Sequence, residues 1–331
     1  MIYIGLAHFY IPKILCIFSI LINTFFITLA YRKSSLSIGK YKYLLITFSL
    51  VNLFTTILET IAQLSTESFQ FSCIVFVSDS LIYKYRDLVQ FLLALRCSMV
   101  AYTYGVISVH FLYRYFAICQ THLTISFFKP QNILVIVCSV VLYGSTPVFI
   151  IAIWMWPDQE TRLKLNHNFL EKYIETTENI PFLIADYQQT ELTKNGLIGM
   201  GLATIVSISS IVFDGVLATK IHFAIKTWNM SDNLKKLHRT MLITLIAQTS
   251  IPSILTFFPC AISWFYPFFN LDLSYVSNSI LMPMISAYPV IDPIVITFAL
   301  TDYREAVFKI FGRKTKRISD NLATVLETTQ L

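Results

Sequence analysis

Four ionisable side chains, Glu59, Arg96, Asp214 and Asp292, lie inside long apolar stretches of this chain. A charge within hydrocarbon costs about 2.5–3.5 kcal/mol on insertion scales, so each implies a partner, a wet cavity or a function. Glu59 and Arg96 fall toward matching ends of the second and third stretches, where they either pair, line a ligand pocket or snorkel to the interface. Asp214 lies low in the fifth stretch, where pairing with a nearby loop Lys or Arg is the simple account. Asp292 precedes Pro293. A proline frees the carbonyl four residues earlier and bends its helix, so a carboxylate there suits a hinge, with a static kink as the alternative. Arg114, in Tyr113-Arg114-Tyr115, closes the third stretch. Its guanidinium stays protonated and must pair or reach water. At the mouth of a bundle it either holds one arrangement closed and receives a partner in another, or simply anchors the helix with its tyrosines.

Other chemistries find no footing. No HExxH, CxxC, GxGxxG or GxxxxGK[ST] pattern occurs, so no metal, phosphate-binding or cofactor site is expected. No nucleophile–base pair marks an enzyme. The net charge of +6 is scattered along loops and is no nucleic-acid footprint. Charged residues make up 13% of the chain and hydrophobic ones 55%, against about a quarter charged in soluble domains. With a mean hydropathy of +0.64, this is the composition of a membrane protein.

Stretches 14–31, 43–63, 91–113, 132–153, 196–218, 240–262 and 275–300 each approach the ~20 apolar residues that cross a bilayer as a helix. The expected fold is an all-α, seven-helix membrane bundle with one receptor-like domain over 1–311 and a polar tail, 312–331, that composition marks as disordered. Residues 302–311 put Tyr303, Val307, Ile310 and Phe311 on one face, with Arg304, Glu305 and Lys309 opposite, as in an amphipathic helix lying on the inner leaflet. Of the 25 basic residues, 17 fall on the tail side of the membrane and 8 on the other. The positive-inside rule then puts the amino terminus outside and the carboxyl terminus in the cytoplasm. The sequon at Asn229 falls in an inner loop and should go unglycosylated. Residues 1–13 lack the basic start of a signal peptide, and the first apolar run is long enough to remain a span. Cys73 and Cys97 lie on the oxidising side, as either a disulfide or two buried thiols.

Together with these features, four motifs carry a family resemblance: Gly39-Lys40-Tyr41-Lys42-Tyr43-Leu44-Leu45, His110-Phe111-Leu112-Tyr113-Arg114-Tyr115, Gln248-Thr249-Ser250-Ile251-Pro252, and Tyr288-Pro289-Val290-Ile291-Asp292-Pro293 followed by Asp302-Tyr303-Arg304. In this order and over nearly the whole length, the chain resembles the nematode seven-transmembrane chemoreceptors of the Str superfamily, the Str/Srj/Srd group. That resemblance implies a chemosensory, olfactory G-protein-coupled receptor in the plasma membrane of a sensory neuron and its cilium. Its partners would be a small chemical ligand, a heterotrimeric G protein and membrane lipid. Tyr113, Arg114, Tyr115, Asp292, Pro293, Tyr303 and Arg304 would form the coupling and switch region. Rhodopsin-like receptors carry an acidic residue before this arginine and Asn-Pro in place of Asp292-Pro293, so Arg114 lacks their local carboxylate lock. No cysteine lies in the 154–194 loop to clamp it to span three.

The ligand is expected between the outer parts of spans two, three, five, six and seven, near Glu59 and Arg96, with Phe257, Phe258 and Trp264 as apolar walls. An odorant-gated seven-helix channel is the first rival, but it would need the amino terminus inside. A small-solute transporter is the second, although seven spans divide into no pair of repeats.

Overall fold

Among the described residues, seven helices are long and apolar enough to cross a membrane, and they fall on the seven stretches above. The computed structural model describes residues 2–33, 39–69, 71–187, 196–228 and 231–310. Spans one to five are α1 (Leu6–Lys33), α2 (Tyr41–Ile61), α3 (Arg86–Cys119), α5 (Pro130–Trp154) and α7 (Gly196–Thr227). The short helix α4 (Thr121–Phe127) precedes span four, and α6 (Gln159–Tyr173) follows it. Span six joins α8 (Asp232–Pro252) to α9 (Phe258–Phe265) through a π-helical turn at Ser253–Phe257. Span seven likewise joins α10 (Ser274–Val276) to α11 (Met282–Ala299) through a π turn at Ser277–Leu281. Both wide turns sit beside prolines, Pro252 and Pro283, whose missing N–H disfavours a regular α-helical ladder.

The bundle is centred on α3, which has 61% of its most apolar window buried, against 17% for the peripheral α5. Outward-facing side chains such as Leu134 and Leu142 make the apolar belt that lipid covers in a multi-pass membrane protein. Two tyrosine–glycine contacts bring α3 and α5 together. A Cβ at Gly144 would stand 2.3 Å from the Tyr102 ring, and one at Gly105 would stand 3.2 Å from Tyr143. The Tyr102 and Ser145 hydroxyls, 2.7 Å apart, fix the register.

The expected all-helical fold is mostly right but omits a sheet. Strands β1 (Gln63–Phe69), β2 (Ser72–Asp79) and β3 (Phe182–Asp186) pair antiparallel in the order β1-β2-β3 over one end of the bundle, here the sheet end. Side chains alternate between its faces. Cys73, Val75 and Val77 pack toward the bundle, whereas Ile74 and Phe76 join Leu165 and Phe169 of α6. Span two therefore stops at Ile61 instead of running to 63, because Ala62 turns extended and Gln63 opens β1.

The amphipathic helix α12 (Thr301–Ile310) starts one residue earlier than expected. Tyr303 and Val307 are buried against the bundle, and Tyr303 meets Phe26 of α1 edge to face at 5.7 Å. Among the described residues of the named apolar face only Ile310 is exposed, so α12 docks on the bundle. Phe311, the tail 312–331 and the sequon residue Asn229 lie outside the described residues.

Candidate ligand cavity and switch residues

Beneath the sheet lies a cavity of about 120 Å³. Leu64, Thr66 and Val75 form its roof, while α3, α5, α7 and spans six and seven form its walls. Span four thus takes the place expected for span two in this cavity. Phe257 and Trp264 line it, but Phe258 is 56% exposed and points away. Neighbouring helical residues are rotated by about 100°, and here that turn carries Phe258 from the cavity to the outer surface.

Arg96, also on the wall, makes an ion pair with Glu59. Its Nε and Nη2 donate at 2.8 and 2.5 Å to the same oxygen, Glu59 Oε2. The other carboxylate oxygen accepts from the Ser286 hydroxyl at 3.1 Å. Both side chains are over nine-tenths buried, which selects pairing over snorkelling. Removing either partner alone would strand a buried charge. Cys73 and Cys97 are free thiols in this structure. Cys73 Sγ donates at 3.3 Å to the Ser263 carbonyl, whose helical donor is missing because residue 267 is proline.

The roof is tied down from both sides. Asn278 acts as a strand mimic on the free edge of β1: its amide donates to Thr66 O at 2.7 Å and accepts from Thr66 N at 2.9 Å. Arg162 of α6 donates to Thr177 O, Ile180 O and Gln90 Oε1 at 2.7, 3.0 and 2.7 Å, with its guanidinium over Phe182. Burial, with nearby Arg86 adding to it, lowers the Arg162 pKa to about 10, so it remains charged at neutral pH. On the outer side of the sheet Glu67 accepts from Lys172 and Tyr173.

At the opposite end, Arg114 is 6% exposed and its guanidinium sits 3.9 Å above the Tyr41 ring. Tyr41 stacks on Tyr113 at 5.8 Å. His110 Nε2 faces the Leu44 carbonyl at 3.1 Å and so donates, which leaves Nδ1 to accept from the Tyr41 hydroxyl at 3.3 Å. Among the described residues no carboxylate pairs with Arg114, and its Nε and Nη2 have no hydrogen-bond partner. A cation–π contact with an aromatic residue of α2 occupies the place of a carboxylate lock. Sequence reasoning missed Tyr41 as the partner of Arg114, although it lies in a quoted motif. Of the other residues expected in the switch region, Tyr115 and Arg304 are half-buried near this end.

Mid-bundle, Asp292 is fully buried and its Oδ2 accepts from Asn52 Nδ2 at 3.3 Å. The Pro289 carbonyl, deprived of a helical donor by Pro293, accepts from Asn23 Nδ2 at 2.8 Å. Asp214 pairs with no Lys or Arg among the described residues. It is buried deeper than expected and accepts from the Ser108 hydroxyl at 2.7 Å. Polar residues in mid-span were the available signal for Asn23 and Asn52.

Comparison with known proteins agrees with this architecture. A family model described as "Serpentine type 7TM GPCR chemoreceptor Srj" matches residues 2–307. Serpentine receptor class J-38 of Caenorhabditis elegans is 24% identical over 322 residues, covering 95% of this chain and 96% of that one. G-protein coupled receptor str-33 of C. elegans is 25% identical, covering 87% and 86%. Serpentine receptor class r-10 of C. elegans is 26% identical, covering 87% and 86%. The chain belongs to the Srj family of serpentine seven-transmembrane chemoreceptors, a family of receptors and not of enzymes.

Proposed function

We propose that this receptor binds a small chemical ligand in the cavity under the sheet and passes the event to a heterotrimeric G protein at the Arg114 end. The observation that carries the reading is the roofed, mostly apolar cavity with one buried ion pair beside it. Such a space suits a small ligand that reaches the bundle from outside the cell. The sheet end then faces outward and the tail cytoplasm, as the basic residues favour. Residues 1–311 act as one receptor domain and 312–331 as a cytoplasmic tail, in the plasma membrane of a sensory neuron and its cilium.

The ligand acts by fitting one helix arrangement better than another. Spans six and seven, with their π turns and prolines, are the elements that rearrange. Arg114, Tyr113, Tyr115, Asp292, Pro293, Tyr303 and Arg304 form the region that responds. The test is a ligand panel on cells expressing the full chain, read by second messenger and membrane current together, with Arg114→Ala beside wild type. A ligand-driven messenger response that Arg114→Ala abolishes at equal surface expression supports the reading. A current without a G protein would favour the channel, and unchanged messenger output from Arg114→Ala would remove Arg114 from the scheme.

A further inference from the structure

We infer that the cavity selects a small neutral molecule bearing a hydrogen-bond acceptor, and that Arg96 Nη1 is the donor that reads it. This inference rests on the cavity being the ligand site.

Among the described residues Arg96 is the one charged side chain on the cavity wall. Its Nε and Nη2 are both engaged by Glu59, while Nη1 makes no hydrogen bond to a described residue. Of the four lining hydroxyls, Ser263 shares a 2.8 Å hydrogen bond with Ser277 in which either oxygen can donate, and the other three have committed their protons. Thr66 Oγ1 donates to Ser277 at 2.7 Å, Thr204 Oγ1 to Met200 O at 2.8 Å, and Ser207 Oγ to Ala203 O at 3.0 Å. The unengaged polar group of greatest strength facing a ligand is therefore a charged donor.

Charge decides the rest. Arg96 and Glu59 together are neutral, so an anionic or cationic guest would add an uncompensated charge to a buried apolar space. A hydrocarbon fits by size but leaves Nη1 without an acceptor. An apolar cavity of about 150 Å³ holds the six heavy atoms of benzene, so 120 Å³ fits a molecule of about four to six heavy atoms. A short-chain ketone, aldehyde or ester meets every condition.

The test uses the full chain in lipid nanodiscs and four probes of similar size: 2-pentanone, n-hexane, butanoate and pentylammonium at pH 7. Binding is read as Kd from ligand-induced thermal stabilisation, independently of any G protein. 2-Pentanone should bind at least about tenfold tighter than n-hexane, with the two ions weaker still. In the double variant Glu59→Gln, Arg96→Met, which removes the pair without stranding a charge, 2-pentanone should fall to the level of n-hexane. Equal binding of ketone and alkane, tightest binding of either ion, or full retention of ketone affinity in the double variant overturns the assignment and leaves the cavity as the site. Absence of binding by all four probes overturns the cavity reading as well. If the double variant does not fold, the wild-type ranking alone decides.

Discussion

Asn23 of span one donates a 2.8 Å hydrogen bond to the carbonyl of Pro289 in span seven, the carbonyl that Pro293 leaves without a helical donor. The kink is thus completed by another helix. Asn23→Ala should destabilise the receptor by about 1–3 kcal/mol, the cost of a buried carbonyl without a partner. The penalty should shrink in a Pro293→Ala background, where the amide is restored. Thermal unfolding of the four proteins in detergent checks this, and an undiminished penalty would disconnect the two residues.

The Tyr41 ring beneath Arg114 makes a second prediction. Tyr41→Phe keeps the aromatic face and should leave ligand-independent G-protein turnover near wild type. Tyr41→Leu removes a contact worth about 2 kcal/mol when desolvated, and basal turnover should rise severalfold. Nucleotide exchange in membranes from both variants measures it, and equal basal rates would release Tyr41 from this role.

Arg96→Met alone should cost about 3–5 kcal/mol, because it leaves the Glu59 carboxylate buried without its cation. Adding Glu59→Gln should recover much of that loss. Surface expression and melting temperature report both effects.

Gly144→Val should loosen the α3–α5 contact, since a side chain there meets the Tyr102 ring at once. About 1–3 kcal/mol of overpacking is expected. The matching change at Gly201, where an added Cβ meets nothing within 4 Å, should be milder in the same unfolding assay.

Asp158 caps α6 by accepting from Thr161 N at 2.7 Å, and this backbone bond, with the Thr161 hydroxyl, holds its carboxyl below the usual carboxylate pKa. A depressed folded pKa contributes stability above the unfolded value of about 3.9 and loses it as pH falls through the folded value. Asp158→Ala should therefore cost about 1 kcal/mol at pH 7 and progressively less below about pH 4. A penalty unchanged at pH 3 would count against the cap.

The spans were legible because a bilayer demands long apolar runs, whereas Glu59 and Arg96 were legible only as charges that pair, line a pocket or snorkel, since burial on the bundle side is what selects the pair. The sheet was not read. Cys73-Ile74-Val75-Phe76-Val77 is apolar on both faces, since α6 covers one and the bundle the other, so the alternation that marks a half-buried strand is erased. Asp214 misled because its position near a loop said nothing of Ser108 on α3. Tyr41 escaped notice for the same reason: its value lies in a contact with a distant helix, which no local pattern encodes.

The Asn278–Thr66 amide pair gives span seven a handle on the roof, and Asp292-Pro293 lies further along that same helix. A molecule that lifts or flattens the lid to enter must therefore tug on the kinked rod below it. Under the proposed function, admission and signalling would share one lever, and stiffening the latch would slow both together.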